Sequence, residues 1–461
     1  EYSMSVEEQS LYDDVTRYLL EPGIVAFQGR QRQLLLIGFH RRMASSTRAL
    51  AVSLQRVADR LRRKLAGGDD AGGGQADADD AQRMLSDLEE SDISRSVEGE
   101  EEDLANTPEA TVDEGAIRSE LARVEAFVRR AELLVNDDGK FRALLKALSF
   151  VTERAQHGRT AGKLVIFTES LVTQDHIRER LVESGLVTSG EITTFRGTND
   201  SARAHEALKR WVEEVPATDG PKPSGEMAMK LALVHEFKTR SRVFISTEAG
   251  AKGLNLQFCD MLVNYDLPWN PQRIEQRIGR CHRYGQKNEV TVINFLAKDN
   301  EAQQLTFEIL SQKLDLFGTV LDASDQVLHH GDGAEGAVLA SALGAEFEAE
   351  LRRVWDRARS IDEVTAELRA LREKVAEERK RFEETHARTA NLIQAHLDED
   401  VRRVFRQRQE ELPDALADLD RDLLRVVTAF LAAQRISYDL VSADRATLLI
   451  VPPSPLLPAG L

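Results

Sequence analysis

SRVFISTEAGAKGLNLQFCDMLVNYDLPWNPQRIEQRIGRCHRYGQKNEVTVINFL, residues 241–296, sets three apolar runs against two polar loops. The runs are Val243 to Ile245, Met261 to Val263 and Val290 to Phe295. Short runs of this kind, bounded by Gly, Asn and Pro, read as buried strands of a parallel sheet. Ligands of an open α/β sheet gather at the loops leaving the carboxyl ends of its strands, so STEAGAKG and YDLPWNPQ are where chemistry is expected. After Pro271 the spacing of Gln276, Arg280 and Arg283 predicts a short helix that shows all three on one face. Guanidiniums so placed repel one another unless an anion lies between them. A triphosphate suits them, because the Arg fork matches phosphate oxygens bidentately and offsets charge that builds up in phosphoryl transfer. A solvated basic face is the alternative reading of any Arg-rich helix. The Gly-rich loop and the WNPQ turn upstream weigh against it.

These residues resemble the second half of a Swi/Snf-type ATPase of helicase superfamily two, and most closely its bacterial branch of RapA-like ATPases and phage-defence helicase subunits such as that of DISARM. STEAGAKGLNL resembles the fifth motif, NYDLPWNPQ the extension after it, and QRIGRCHRYGQ, Gln276 to Gln286, the sixth. Upstream, KLVIFTES (Lys163 to Ser170) is similar to the fourth motif and FRGTNDSARA (Phe195 to Ala204) to the segment that follows it. The resemblance covers roughly Tyr2 to Phe317 and implies a RecA-like, doubly wound parallel sheet. It further implies that Arg280 and Arg283 are arginine fingers on the γ-phosphate of ATP, with Gln276 orienting them or the nucleotide. Gly253, Asn255 and Gly279 would lie along the nucleotide. Thr168, Gly197 and Thr247 would touch the DNA backbone, and Trp269 and Asn270, with Pro271, would couple DNA to nucleotide. Glu248 stands where eukaryotic relatives carry Lys, which unsettles the DNA contact of that loop. The implied partners are double-stranded DNA, an upstream RecA-like lobe of the same polypeptide that holds Mg2+, and either defence-system subunits or RNA polymerase. RNA as the substrate stays open, as does a non-catalytic scaffold. Retention of both Arg280 and Arg283 argues against the scaffold.

The sequence of 461 residues carries a net charge of -17, which looks wrong for a nucleic-acid partner until it is resolved along the chain. Ten basic residues stand against Asp59 between Gln28 and Lys64, whereas fourteen acidic residues stand against Arg83 and Arg95 between Asp69 and Asp103. The basic stretch fits phosphate-backbone binding, with a solvated face as the alternative. Two cysteines, Cys259 and Cys281, have no metal-like spacing, so no metal site is expected and a reduced, cytoplasmic setting is. No apolar run approaches membrane-spanning length, which excludes a helical membrane span.

Residues 1–65 read as a helical segment following the first motor lobe, opened by a capping box of Ser5 and Glu8, with Gln33 to Leu65 as one continuous helix. Residues 66–110 read as an acidic, Gly/Ala/Asp-rich disordered insertion. The RecA-like lobe is expected over 111–320, beginning with a helix from Glu114 to Phe150. A strand Leu164 to Thr168, a helix Val172 to Ser184, a strand Ile192 to Phe195, a helix Ala228 to Phe237 and a helix Asn300 to Phe317 follow. Residues 321–344 read as a linker, 345–435 as a helical or coiled-coil arm, and 436–461 as the start of a truncated further domain. GxxxxGK[ST] does not occur, and Asp113-Glu114 follows no apolar strand, so neither Walker motif is present. One wall of an ATP site is thus expected, within a piece of a longer polypeptide.

Overall fold

A computed structural model describes residues 2–21, 23–27, 32–66, 113–215, 223, 225–247, 253–282, 286, 288–313, 347–355, 357–358, 360–396, 427–429, 431, 438–442 and 447–450. The predicted insertion from residue 67 onward and the linker lie outside these residues, as do Glu248 and Arg283. The chain divides into two units, one of residues 1–199 and 236–377, the other of residues 200–235 and 378–461.

In the first unit, strands β1 (Leu164–Thr168), β3 (Val243–Thr247) and β4 (Met261–Asn264) are buried throughout. With β2 (Ile192–Phe195) and β5 (Thr291–Asn294) they make one sheet in the order β2-β3-β1-β4-β5. Every pairing is parallel, with Leu164 opposite Val243 and Val165 opposite Leu262. This is the RecA-like sheet that the three apolar runs call for. The amino terminus extends its edge: Tyr2 N–H donates to Leu296 O (2.9 Å) and Tyr2 O accepts from Lys298 N–H (2.9 Å). Alternate strand residues such as Leu164, Ile166, Val243, Ile245 and Val263 pack beneath Phe141, Leu144, Leu148 and Val151.

Four helices form a separate apolar cluster: α1 (Val6–Leu20), α2 (Arg32–Ser45), α3 (Thr47–Leu65) and α4 (Glu114–Leu134). The capping box at Ser5 and Glu8 is present. The single helix expected over Gln33 to Leu65 is two, because Ser46 is extended (φ -158, ψ 156) and its Oγ accepts from Ala49 N–H. The helix expected from Glu114 to Phe150 is likewise two. Asp138 starts α5 (Gly139–Gln156) by accepting from the amides of Lys140 and Phe141, a cap of about 1 kcal/mol. The break separates their partners, since α4 buries Val124 and Phe127 among α1 to α3 whereas α5 covers the sheet. Asp113 caps α4 through Gly115 N–H.

Helix α6 (Leu171–Glu183) follows β1. The second unit contains α7 (Ala202–Glu214), capped by Ser201, and most of α8 (Gly225–Thr239). It also holds an antiparallel pair, Tyr438–Ser442 with Thr447–Ile450. Back in the first unit, helix α9 (Pro271–Cys281) follows β4. After β5, helices over 301–313 and 347–355 and the first turns of a long helix, Ile361–His396, bury a third cluster that includes Ile309, Phe347, Leu351 and Leu368.

Candidate functional site

The carboxyl ends of β1 and β4 and the helix after β4 converge on one buried polar centre. Asn270 starts α9 by accepting from Gln272 N–H (3.0 Å) through Oδ1, and Pro271 occupies the first turn, where its missing N–H costs nothing. The helix stops at Cys281, with His282 N–H donating to Ile278 O at 2.9 Å. Gln276 is exposed and Arg280 half-buried. The Arg280 carbonyl accepts from Leu256 N–H at 2.9 Å, which brings the described end of the Gly-rich loop, Gly253 to Leu256, against the end of α9. Gln286 strengthens that junction by donating its amide to both Cys259 O (3.1 Å) and Cys281 O (3.2 Å).

Within the loop, Gly253 has φ +82, a conformation that L side chains rarely adopt, and space for a Cβ lies open around it. Asn255 is exposed and its Oδ1 accepts from Gln257 N–H (3.3 Å). Gly279 has open space around its Cα and ordinary helical backbone, so sterics do not demand glycine there. Gly253, Asn255, Gly279 and Arg280 therefore share one neighbourhood. Their chemistry, an arginine beside exposed backbone, suits one wall of a nucleotide site. Among the described residues no cluster of His, Cys, Asp and Glu could hold a metal ion.

Sequence reasoning missed two residues at the centre. Arg277 is 1% exposed; its Nη1 donates to Asn264 Oδ1 (3.1 Å) and to Asp266 O (3.0 Å), and its guanidinium lies over the Phe167 ring at 5.5 Å. Its position was legible, because 277 falls on the same helical stripe as the buried Ile274 and Cys281. Asp266 is buried and accepts from Ser45 Oγ (2.7 Å), Thr168 Oγ1 (2.7 Å) and Glu169 N–H (2.9 Å). No periodicity marks it. Nearby, burial lowers Lys140 to about 8, and its Nζ donates to Ala44 O (2.7 Å) and Ser45 O (3.0 Å). Burial pushes the Glu169 carboxyl up, against the pull of Arg41, Arg273 and Arg277.

The helicase conserved C-terminal domain family matches residues 199–285. An uncharacterized ATP-dependent helicase of Bacillus subtilis, YqhH, is 34% identical over 166 residues, which is 36% of this chain and 24% of that protein. The transcription regulatory protein SNF2 of Saccharomyces cerevisiae is 35% identical over 128 residues, 28% of this chain and 8% of that protein. The chain holds a C-terminal helicase lobe of the Swi/Snf type. It spans only about a quarter of YqhH and less of SNF2. Among solved structures, the C-terminal part of the Fun30 ATPase domain overlays on 67% of this chain and 86% of that one, at 15% identity and a TM-score of 0.33.

On the Swi/Snf-type lobe, the residues expected at DNA separate. Gly197 is exposed. Thr168 and Thr247 are fully buried, and the Thr168 hydroxyl is committed to Asp266. Their side chains therefore face the interior. Asn270 is a helix cap. Trp269 is half-buried and stacks on Trp355 (centroids 6.4 Å apart, planes at 14°), with the Arg41 guanidinium 5.1 Å from its ring. The basic stretch also divides: Arg41, Arg42 and Arg60 are buried, while Arg48, Arg62 and Arg63 are exposed. Arg41 forms a buried ion pair with Glu348, and Arg62 pairs with Asp59 and Glu125 at 2.6 Å each.

Proposed function

We propose that this chain is the C-terminal half of an ATP-dependent double-stranded-DNA translocase, of the bacterial branch that includes RapA-like and phage-defence motors. The observation that carries the reading is the position of Arg280, half-buried on a helix whose end is bonded to the Gly-rich loop through Leu256 N–H. A guanidinium fixed beside exposed backbone can take the oxygens of a γ-phosphate without reorganising, which is how charge developing in phosphoryl transfer is offset. Arg283, with Gln276, would complete the wall. The nucleotide supplies an activated phosphoryl group; this chain holds and orients it from one side. The phosphate cradle and the Mg2+ ligands are assigned to an upstream RecA-like lobe. On the nucleic-acid side, the exposed backbone at Gly197, the loops after Thr168 and Thr247, and Arg48, Arg62 and Arg63 would meet phosphates.

The test joins residues 1–461 to their upstream lobe and follows ATP hydrolysis with and without double-stranded DNA. Stimulation by DNA supports the reading, and no turnover is expected from residues 1–461 alone. Equal turnover by the isolated chain overturns it. Stimulation by RNA but not DNA transfers the motor to the alternative substrate, as an RNA polymerase-associated or RNA-acting ATPase.

A further inference from the structure

We infer that Asp266 and Arg277 form a positioning pair that fixes Arg280 relative to the end of β1. The inference rests on the motor reading above and assigns to two buried residues the task of holding its arginine in place. Asp266 gathers donors from two elements, Ser45 Oγ on α2 and Thr168 Oγ1 with Glu169 N–H at the end of β1. The carboxylate accepts from all three at once; an amide in its place keeps one accepting oxygen for Glu169 N–H and must donate to the two hydroxyls, which then lose their acceptor and redirect their protons. The main-chain oxygen of the same residue accepts from Arg277, which also donates to Asn264 Oδ1 at the end of β4. Arg277 lies one helical turn before Arg280. The next turn is held from the other side by the Leu256 N–H bond to Arg280 O.

Arg280 itself is thus set by two clamps on its helix. One runs through Arg277 to Asp266 and from there to Thr168 and Ser45; the other runs to the Gly-rich loop. A planar guanidinium on two fixed acceptors holds orientation as well as distance, which a lysine at the same position cannot do. Loss of the first clamp leaves α9 formed, since Asn270 and Pro271 still start it, but frees its last turn. A misplacement of about 1 Å at a group acting on the transition state costs on the order of 10²-fold in rate.

Two measurements test the pair. The first is hydrogen exchange on residues 1–461, which needs no nucleotide: Asp266→Asn and Arg277→Lys should speed exchange at Leu256 and across 276–282 by about tenfold or more, while 164–168 stays protected. The second is turnover of the joined two-lobe protein. Asp266→Asn, Arg277→Lys and Arg277→Met should lower kcat by about 10²-fold with KM for ATP within about threefold. Arg277→Lys, which keeps one donor, should retain more than Arg277→Met. Because the pair acts through Arg280, Arg277→Met combined with Arg280→Ala should be no slower than Arg280→Ala alone. Ser45→Ala removes one small donor from Asp266 and serves if the Arg277 variants do not fold; it should raise exchange at Leu256 and lower kcat in the same direction. Exchange unchanged in Asp266→Asn and Ser45→Ala, or rate losses that multiply with Arg280→Ala, overturn the pair. A wild-type joined protein without nucleic-acid-stimulated turnover fails the motor reading instead, and the exchange result then still decides the pair.

Discussion

Two arginine-rich stretches of this chain look alike in sequence and differ in three dimensions. Residues 41–64 carry Arg41, Arg42, Arg48, Arg56, Arg60, Arg62 and Arg63; residues 273–280 carry Arg273, Arg277 and Arg280. In the first stretch, Arg41 meets the carboxylate of Glu348, and Arg62 meets those of Asp59 and Glu125. In the second, Arg273 also pairs with a carboxylate, Glu169 at 3.7 Å, but Arg277 is held by an amide oxygen, a main-chain carbonyl and an aromatic ring. A carboxylate partner neutralises a guanidinium and makes it a structural tie. Neutral acceptors such as those on Arg277 fix a guanidinium's orientation as well as its distance. Net charge along the sequence therefore says less about nucleic-acid binding than the identity of each arginine's acceptors.

The sharpest way to break this comparison is Arg280→Ala in the joined two-lobe protein. If the second stretch serves phosphoryl transfer, kcat should fall by about 10³ to 10⁵ with affinity for DNA little changed. A kcat within about threefold of wild type, roughly 0.6 kcal/mol of barrier, would return this helix to the class of ordinary basic surfaces.

Next in size is the tie between Arg41 and Glu348. Both side chains are almost wholly buried, so Glu348→Gln strands a buried guanidinium and should cost about 3–5 kcal/mol in denaturant unfolding. Burial alone would raise the Glu348 carboxyl, but Arg41, Arg352 and Arg273 outweigh it and hold it at about 2, below its ordinary 4.5. A folded-state value below the unfolded one gives stability that is complete above about 4.5 and is lost as pH falls toward about 2. The pH titration of unfolding should therefore show a loss of roughly 3 kcal/mol over that window, absent in Glu348→Gln.

The smallest effects belong to the exposed arginines of the first stretch. Arg62→Ala removes a solvent-exposed pair and should change stability by less than about 1 kcal/mol in the same assay. Neutralising Arg62 and Arg63 together should flatten the salt dependence of DNA binding by about one unit of slope for each phosphate these side chains neutralise, with turnover at saturating DNA retained. An unchanged slope would remove this face from the DNA interface and leave the whole stretch structural.

Much of the fold was legible because β1, β3 and β4 are fully buried and β2 nearly so. The runs at 164–168, 192–195, 243–247 and 261–264 needed apolar or β-branched residues in succession, and that pattern survives in the sequence. The helix after β4 was legible from Pro271 and its spacing. Helix breaks were not, because Ser46 and Asp138 interrupt stretches whose apolar periodicity continues on both sides. The motifs around Thr168 and Trp269 point to DNA. Their surroundings come from afar, Thr168 bonding to Asp266 and Trp269 stacking on Trp355.

The sequence by itself determined the parallel sheet, the positions of the ligand-bearing loops and the presence of arginines beside one of them, since each follows from local pattern: strand burial, turn chemistry and helical spacing. The tertiary structure alone decided which arginines are buried ties and that Asp266 joins α2, β1 and α9. Hydrogen-bond partners separated by 98 and 221 residues leave no periodic trace, because a carboxylate's acceptors are filled by whatever the fold brings within about 3 Å.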